Sequence, residues 1–241
     1  MSNPPSSSAP PAPLPTTAPP PLSTARDHRA YVVPFFTFMV LTFLGSFEGW
    51  FPFSYVCKTL LVTVLIAYYW PCYTRISWRY WHVGVAAGVV GVIQWVGMEK
   101  ALLAVWPDYP RMGGEPFNPL SEFATPAAAW AFIAVRWAGA TLLVPVMEEL
   151  FWRDYLHRQL MAPNDFKMVG VGEWDLKAFL IVAVVFGAGV HVQWLTAVVY
   201  GLMIGGLLVT TRSLGACILC HAVTNFLLGA YVLWTGDWYF W

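Results

Sequence analysis

The chain has 241 residues, of which 58% are hydrophobic, 17% aromatic and only 11% charged, with a formal net charge of zero. A soluble domain carries about a quarter charged residues, so a water-exposed globule is excluded and a polytopic, all-α membrane protein is expected. Zero net charge gives no electrostatic footprint for nucleic acid, and the four cysteines, Cys57, Cys72, Cys217 and Cys220, lie mostly in apolar runs and form no disulfide framework.

Residues 1–24 are Pro, Ser, Ala and Thr with no charge and no apolar period. They read as a disordered, polyproline-prone tail without the apolar core of a signal peptide. The expected division is a tail over 1–28 and a transmembrane helical domain over 29–241.

A spanning helix needs about 20 mostly apolar residues. The candidates in chain order are 31–49, 54–71, 83–106, 126–147, 178–192, 194–211 and 215–234. Glu99 and Lys100 interrupt the third, so the expectation is a bundle of about seven to eight transmembrane helices. Between the fourth and fifth, residues 153–177 read as a polar connection.

Lys and Arg orient such a chain. Arg26, Arg29, Arg75, Arg79, Arg153, Arg158, Lys167, Lys177 and Arg212 all fall on one side if the N-terminus is cytoplasmic. The opposite loop, 107–125, sets Arg111 against Asp108, Glu115 and Glu122. Tryptophans near the segment ends, among them Trp50, Trp70, Trp106, Trp174, Trp234, Trp238 and Trp241, read as interfacial anchors. Gly201 and Gly205 have the spacing that lets two helices approach closely.

Six polar residues remain at the ends of, or inside, apolar segments: Glu148, Glu149, Arg153, His191, His221 and Asn225. Ionisable groups at membrane depth cost several kcal/mol unless paired and mark functional sites. Glu149 and Arg153 are four positions apart and share a helical face, whereas Glu148 is rotated by about 100°. One carboxylate is thus held by the arginine while the other stays available. His221 and Asn225 are again four apart. A free carboxylate, two imidazoles and an amide suffice to activate water and stabilise an oxyanion. Singly, each has a plainer reading, as an interfacial charge or a helix-bridging hydrogen bond. Cys217-x-x-Cys220-His221 also fits a haem-attachment pattern, but inside an apolar helix it reads as two core thiols.

Glu148-Glu149-Leu-Phe-Trp-Arg153, Phe186 through His191, and His221-Ala-Val-Thr-Asn225 resemble, in order, the EExxxR, Phe-xxx-His and His-xxx-Asn/Asp motifs of the CAAX protease and bacteriocin-processing family of glutamic intramembrane endopeptidases. The resemblance covers about 125–235. It implies Glu148 as general base with His191 positioning the water, Glu149 paired with Arg153, and His221 and Asn225 at the oxyanion. It also implies a membrane-associated peptide or protein as substrate and no cofactor. A bacterial branch associated with exosortase protein-sorting systems is similar in build, which implies the bacterial inner membrane and a sorting-system partner.

Two departures stand out. Phe186 precedes His191 by five residues rather than four. His191 also lies about 21 Å along its helix at 1.5 Å per residue, while Glu148 and His221 look nearer the cytoplasmic side. Three alternatives stay open: a zinc-dependent membrane protease using Glu148, His191 and His221, a transporter with an intramembrane carboxylate, and a non-catalytic scaffold.

Overall fold

The computed structural model describes residues 22–111, 113 and 116–241. The expected tail lies largely outside them, as does Glu115. Within the described residues the chain forms helices and connecting turns, with no strand.

Seven helices carry the fold: α1 Ala25–Leu44, α2 Phe51–Tyr69, α3 Trp81–Val105, α4 Pro126–Met161, α5 Leu176–Val190, α6 Trp194–Thr211 and α7 Leu214–Thr235. Helices α3, α4, α6 and α7 are long and apolar enough to cross a membrane, as is α2 with the following turn to Cys72. Large side chains such as Phe36, Val64, Ile93, Val184 and Phe226 are exposed along their sides, the surface that lipid covers. The chain is an integral membrane protein.

Helix starts follow local chemistry. Thr24 and Asp27 form a reciprocal capping box that starts α1 at Ala25, ahead of the apolar run first evident at residue 31. Thr125, Asp175 and Ser213 cap α4, α5 and α7, each side chain accepting a backbone N–H. Glu99 and Lys100 leave α3 unbroken. Glu99 is buried and accepts a hydrogen bond from Thr196 Oγ1 at 2.8 Å, which makes a carboxylate tolerable inside the helix.

The main pairings are α3 with α7, α5 with α6, and α1 with α2. Gly84, Gly88 and Gly91 set α3 against α7, where an added methyl group would strike Ala216, Cys220 and Val223, or Thr224. Gly201 and Gly205 of α6 face Ala183, Phe186 and Phe179 of α5. Backbone approach of this kind is how helices associate where lipid removes the hydrophobic drive.

Two expectations are corrected. Residues 153–161 are helix, not connection: α4 continues through both glutamates to Met161. Arg153, Asp154 and Arg158 stay within it because each finds a partner. Asp154 pairs with Arg158 and accepts from Tyr31 Oη at 2.7 Å, and Arg158 Nη1 reaches Thr74 at 3.0 Å. Trp238 and Trp241 are not lipid-facing anchors either. Gly236, with φ of 72°, turns the chain back at the end of α7, and the two indoles stack on one another against the cavities described next.

Candidate functional site

Helix α4 is not regular where its carboxylates lie. Residues 144–149 are α-helical between two π-helical stretches, Gly139–Leu143 and Leu150–Leu156. The first has a local cause. Pro145 has no N–H and its ring crowds the carbonyl four residues back. The wider turn relieves that crowding, and Val144 N–H bonds Gly139 O, five residues back. The same shift would make Pro145 the partner of the Ala140 carbonyl, which it cannot be. Asn225 of α7 takes that place, its Nδ2 donating to Ala140 O at 2.8 Å. Insertions of this kind recur at functional sites.

Glu149 is the hub. Fully buried, it lies 3.2 Å from Arg153 Nε, at ion-pair distance though off hydrogen-bond angle, and accepts from Arg153 Nη1 at 3.4 Å. Its Oε1 also accepts from His221 Nδ1 at 2.8 Å. Arg153 lies over the Phe186 ring, 4.4 Å from its centre. Glu148 has a different environment. It is 6% exposed, and its Oε2 has no hydrogen-bond partner among the described residues. It borders a cavity of about 250 Å³ whose wall also carries His191, His221 and Asn225.

His191 follows the last turn of α5 in extended conformation, and its Nδ1 donates to Phe186 O at 2.7 Å. The five-residue spacing has its explanation here: His191 is outside the helical register, and the bond folds its ring back to 4.5 Å from that of Phe186. The depth difference also closes, because α4 runs on to Met161 and places Glu148 further from that end of the bundle than a helix ending at the glutamates would. Both Nδ1 atoms are engaged, which leaves Nε2 as the free nitrogen of each imidazole.

The cavity is completed by residues that no motif singles out. Trp95 comes from α3, Tyr200 from α6, Thr224 from α7, and Phe240 and Trp241 from the returning C-terminal segment. Tyr200 Oη donates to Thr224 Oγ1 at 2.8 Å, while Gln193 Nε2 holds the C-terminal segment through Tyr239 O at 2.7 Å. Among the described residues no group of three or more His, Cys, Asp or Glu is placed to hold a metal ion. Cys217 and Cys220 are buried, unbridged thiols, with Cys217 Sγ 3.8 Å from Ile204 O.

A polar cluster enclosed by membrane helices, with one carboxylate saturated and its neighbour facing a cavity, defines a class: membrane proteins with a buried acid–imidazole site. Residues 129–227 match the family model described as Rce1-like, type II CAAX prenyl endopeptidase, and over this segment the chain is similar to that family. No curated protein and no solved structure matches the chain significantly. The match runs from within α4 to within α7 and contains Glu148, Glu149, Arg153, His191, His221 and Asn225.

Proposed function

We propose that this protein is an intramembrane endopeptidase that hydrolyses a peptide bond of a membrane-associated substrate with water activated by Glu148. The carrying observation is the asymmetry of the paired glutamates: Glu149 is committed to Arg153 and His221, while Glu148 faces the cavity with an unpartnered oxygen.

In this reading Glu148 takes a proton from water as the water oxygen attacks the scissile carbonyl, and the proton then passes to the leaving amine. His191, with Nδ1 fixed on a backbone carbonyl, offers Nε2 to orient the water. Asn225 has one amide N–H on Ala140 O and a second for the developing oxyanion. His221 donates there only when it carries a second proton on Nε2, a charge that the Glu149 carboxylate would balance. The reading needs no metal and no covalent intermediate. It also takes the N-terminus as cytoplasmic in a bacterial inner membrane, and a protein-sorting system as the source of substrate.

The test is cleavage of candidate membrane peptides by purified wild type, Glu148→Ala and His221→Ala, each with and without a strong chelator. Loss of a general base predicts a fall of at least about 100-fold in kcat for Glu148→Ala, with wild-type activity unaffected by chelator. Equal cleavage by all three proteins would remove these residues from the chemistry. Chelator-sensitive cleavage restored by zinc would make them metal ligands.

A further inference from the structure

Among the described residues, two cations are buried beside the site without a carboxylate partner. Arg136 of α4 and Lys58 of α2 are each 5% exposed, and neither forms an ion pair among the described residues. They flank Tyr55. Lys58 Nζ lies 4.4 Å from the centre of its ring and donates to Thr42 Oγ1 at 3.0 Å, while Tyr55 Oη donates to the Arg136 carbonyl at 3.2 Å. The Arg136 guanidinium is held between the rings of Phe51 and Trp241, 5.0 and 4.9 Å from their centres, and among the described residues its one hydrogen bond is a long one to Phe117 O at 3.5 Å. Buried cations without counter-ions are costly, and a guanidinium with free N–H groups is built for a carboxylate.

Arg136 opens onto a second cavity, of about 770 Å³. Val192 and Trp241 belong to the walls of both cavities, so the second adjoins the one at Glu148. The exposed carboxylates of Glu48 and Glu122 border it. Arg136 and Glu148 are twelve positions apart on one helix, about 18 Å at 1.5 Å per residue. An extended peptide spans that distance in about five residues.

We propose that this cavity binds a carboxylate of the peptide substrate, about five residues from the bond that is cleaved, with Arg136 as the contact and Lys58 reinforcing the field from behind Thr42. The inference rests on the endopeptidase reading and adds a substrate class to it: peptides with an acidic side chain or a free C-terminus at that distance. The wall shared with the Glu148 cavity favours a continuous peptide strand over a separate ligand.

The test uses the full chain in nanodiscs and fluorescent Leu/Ala peptides. One set moves a single Asp, or Asn as its uncharged match, along the peptide; a second compares a free C-terminus with its amide. Anisotropy reads binding and product analysis reads cleavage. The expected result is about tenfold tighter binding of the charged peptide at one register, lost in Arg136→Gln and partly kept in Arg136→Lys. The set that shows the preference tells side chain from terminus. Equal binding of charged and uncharged peptides by the wild type overturns the proposal, as does a preference that survives in Arg136→Gln. An Arg136-dependent rise in Tm on adding phosphatidylglycerol, without peptide preference, would assign the cavity to lipid instead. Charge preference without cleavage would defeat the endopeptidase reading and leave the anion site standing. Cleavage without charge preference would do the reverse.

Discussion

Glu149 balances two positive or potentially positive groups at once, and Glu148 balances none. The two carboxylates should therefore fail differently when removed. Glu149→Ala leaves Arg153, 1% exposed, without its counter-ion, and breaking a buried pair costs about 3–5 kcal/mol. Thermal unfolding in detergent is expected to show a large fall in Tm for Glu149→Ala and little change for Glu148→Ala, even though both are expected to lose cleavage. Similar Tm losses in the two variants would contradict the division of labour. Asn225 also has a structural duty that its spacing from His221 does not reveal. Asn225→Leu orphans the partly buried Ala140 carbonyl, and an unsatisfied acceptor costs at most about 1–3 kcal/mol. Pro145→Ala restores an N–H next to that carbonyl, so the double variant is expected to be less destabilised than the two single effects summed. Strict additivity in a double-mutant cycle would count against the link between proline, π-turn and amide.

At the scale of the element, α4 is the helix on which the site depends, and its two π-helical stretches decide where its side chains point. A regular period of 3.6 brings Glu149 and Arg153 to one face, and that pairing was legible from their spacing alone. The π-turns were not: the first frees the Ala140 carbonyl, which an amide from another helix satisfies. His191 was legible as a residue but not as a position: its extended conformation and its bond to Phe186 O place it outside any helical count. Helix α3 contributes Trp95 to the cavity and closes on α7 through Gly84, Gly88 and Gly91. Gly88→Leu would drive a side chain into the Cys220 carbonyl and Val223. It is expected to cost at least as much as ordinary core overpacking, about 1–3 kcal/mol, and to lower cleavage by displacing His221. A variant with wild-type Tm and activity would show that the two helices are free to separate.

For the whole molecule, connectivity puts the turns around residues 70–80, 162–175 and 212–213 at one end of the bundle, and those around 45–50, 106–111, 116–125 and 191–193, with 236–241, at the other. Lys and Arg are concentrated at the first end, where Arg75, Arg79, Lys167 and Arg212 lie. If that end is cytoplasmic, a single cysteine placed at Glu48 or Asp237 in a cysteine-free background should react with a membrane-impermeant maleimide in intact cells. A cysteine at Asn164 should react only after lysis. The opposite pattern would invert the chain in the membrane and set the Arg136 cavity on the cytoplasmic side.

Composition and apolar run length were enough to establish a polytopic helical membrane protein, because a bilayer demands long apolar helices wherever they pack. Short-range chemistry was equally readable: caps, the four-residue pairing of Glu149 with Arg153, and the ordered polar residues that resemble the CAAX protease family. Tertiary structure alone decided the rest. It set which glutamate is saturated, it bound Asn225 to a carbonyl orphaned by Pro145, it carried Trp241 back onto both cavities, and it buried Lys58 and Arg136 on either side of Tyr55. Each of these depends on contacts between residues far apart in the chain, and periodicity along one helix has no information about what the neighbouring helix presents.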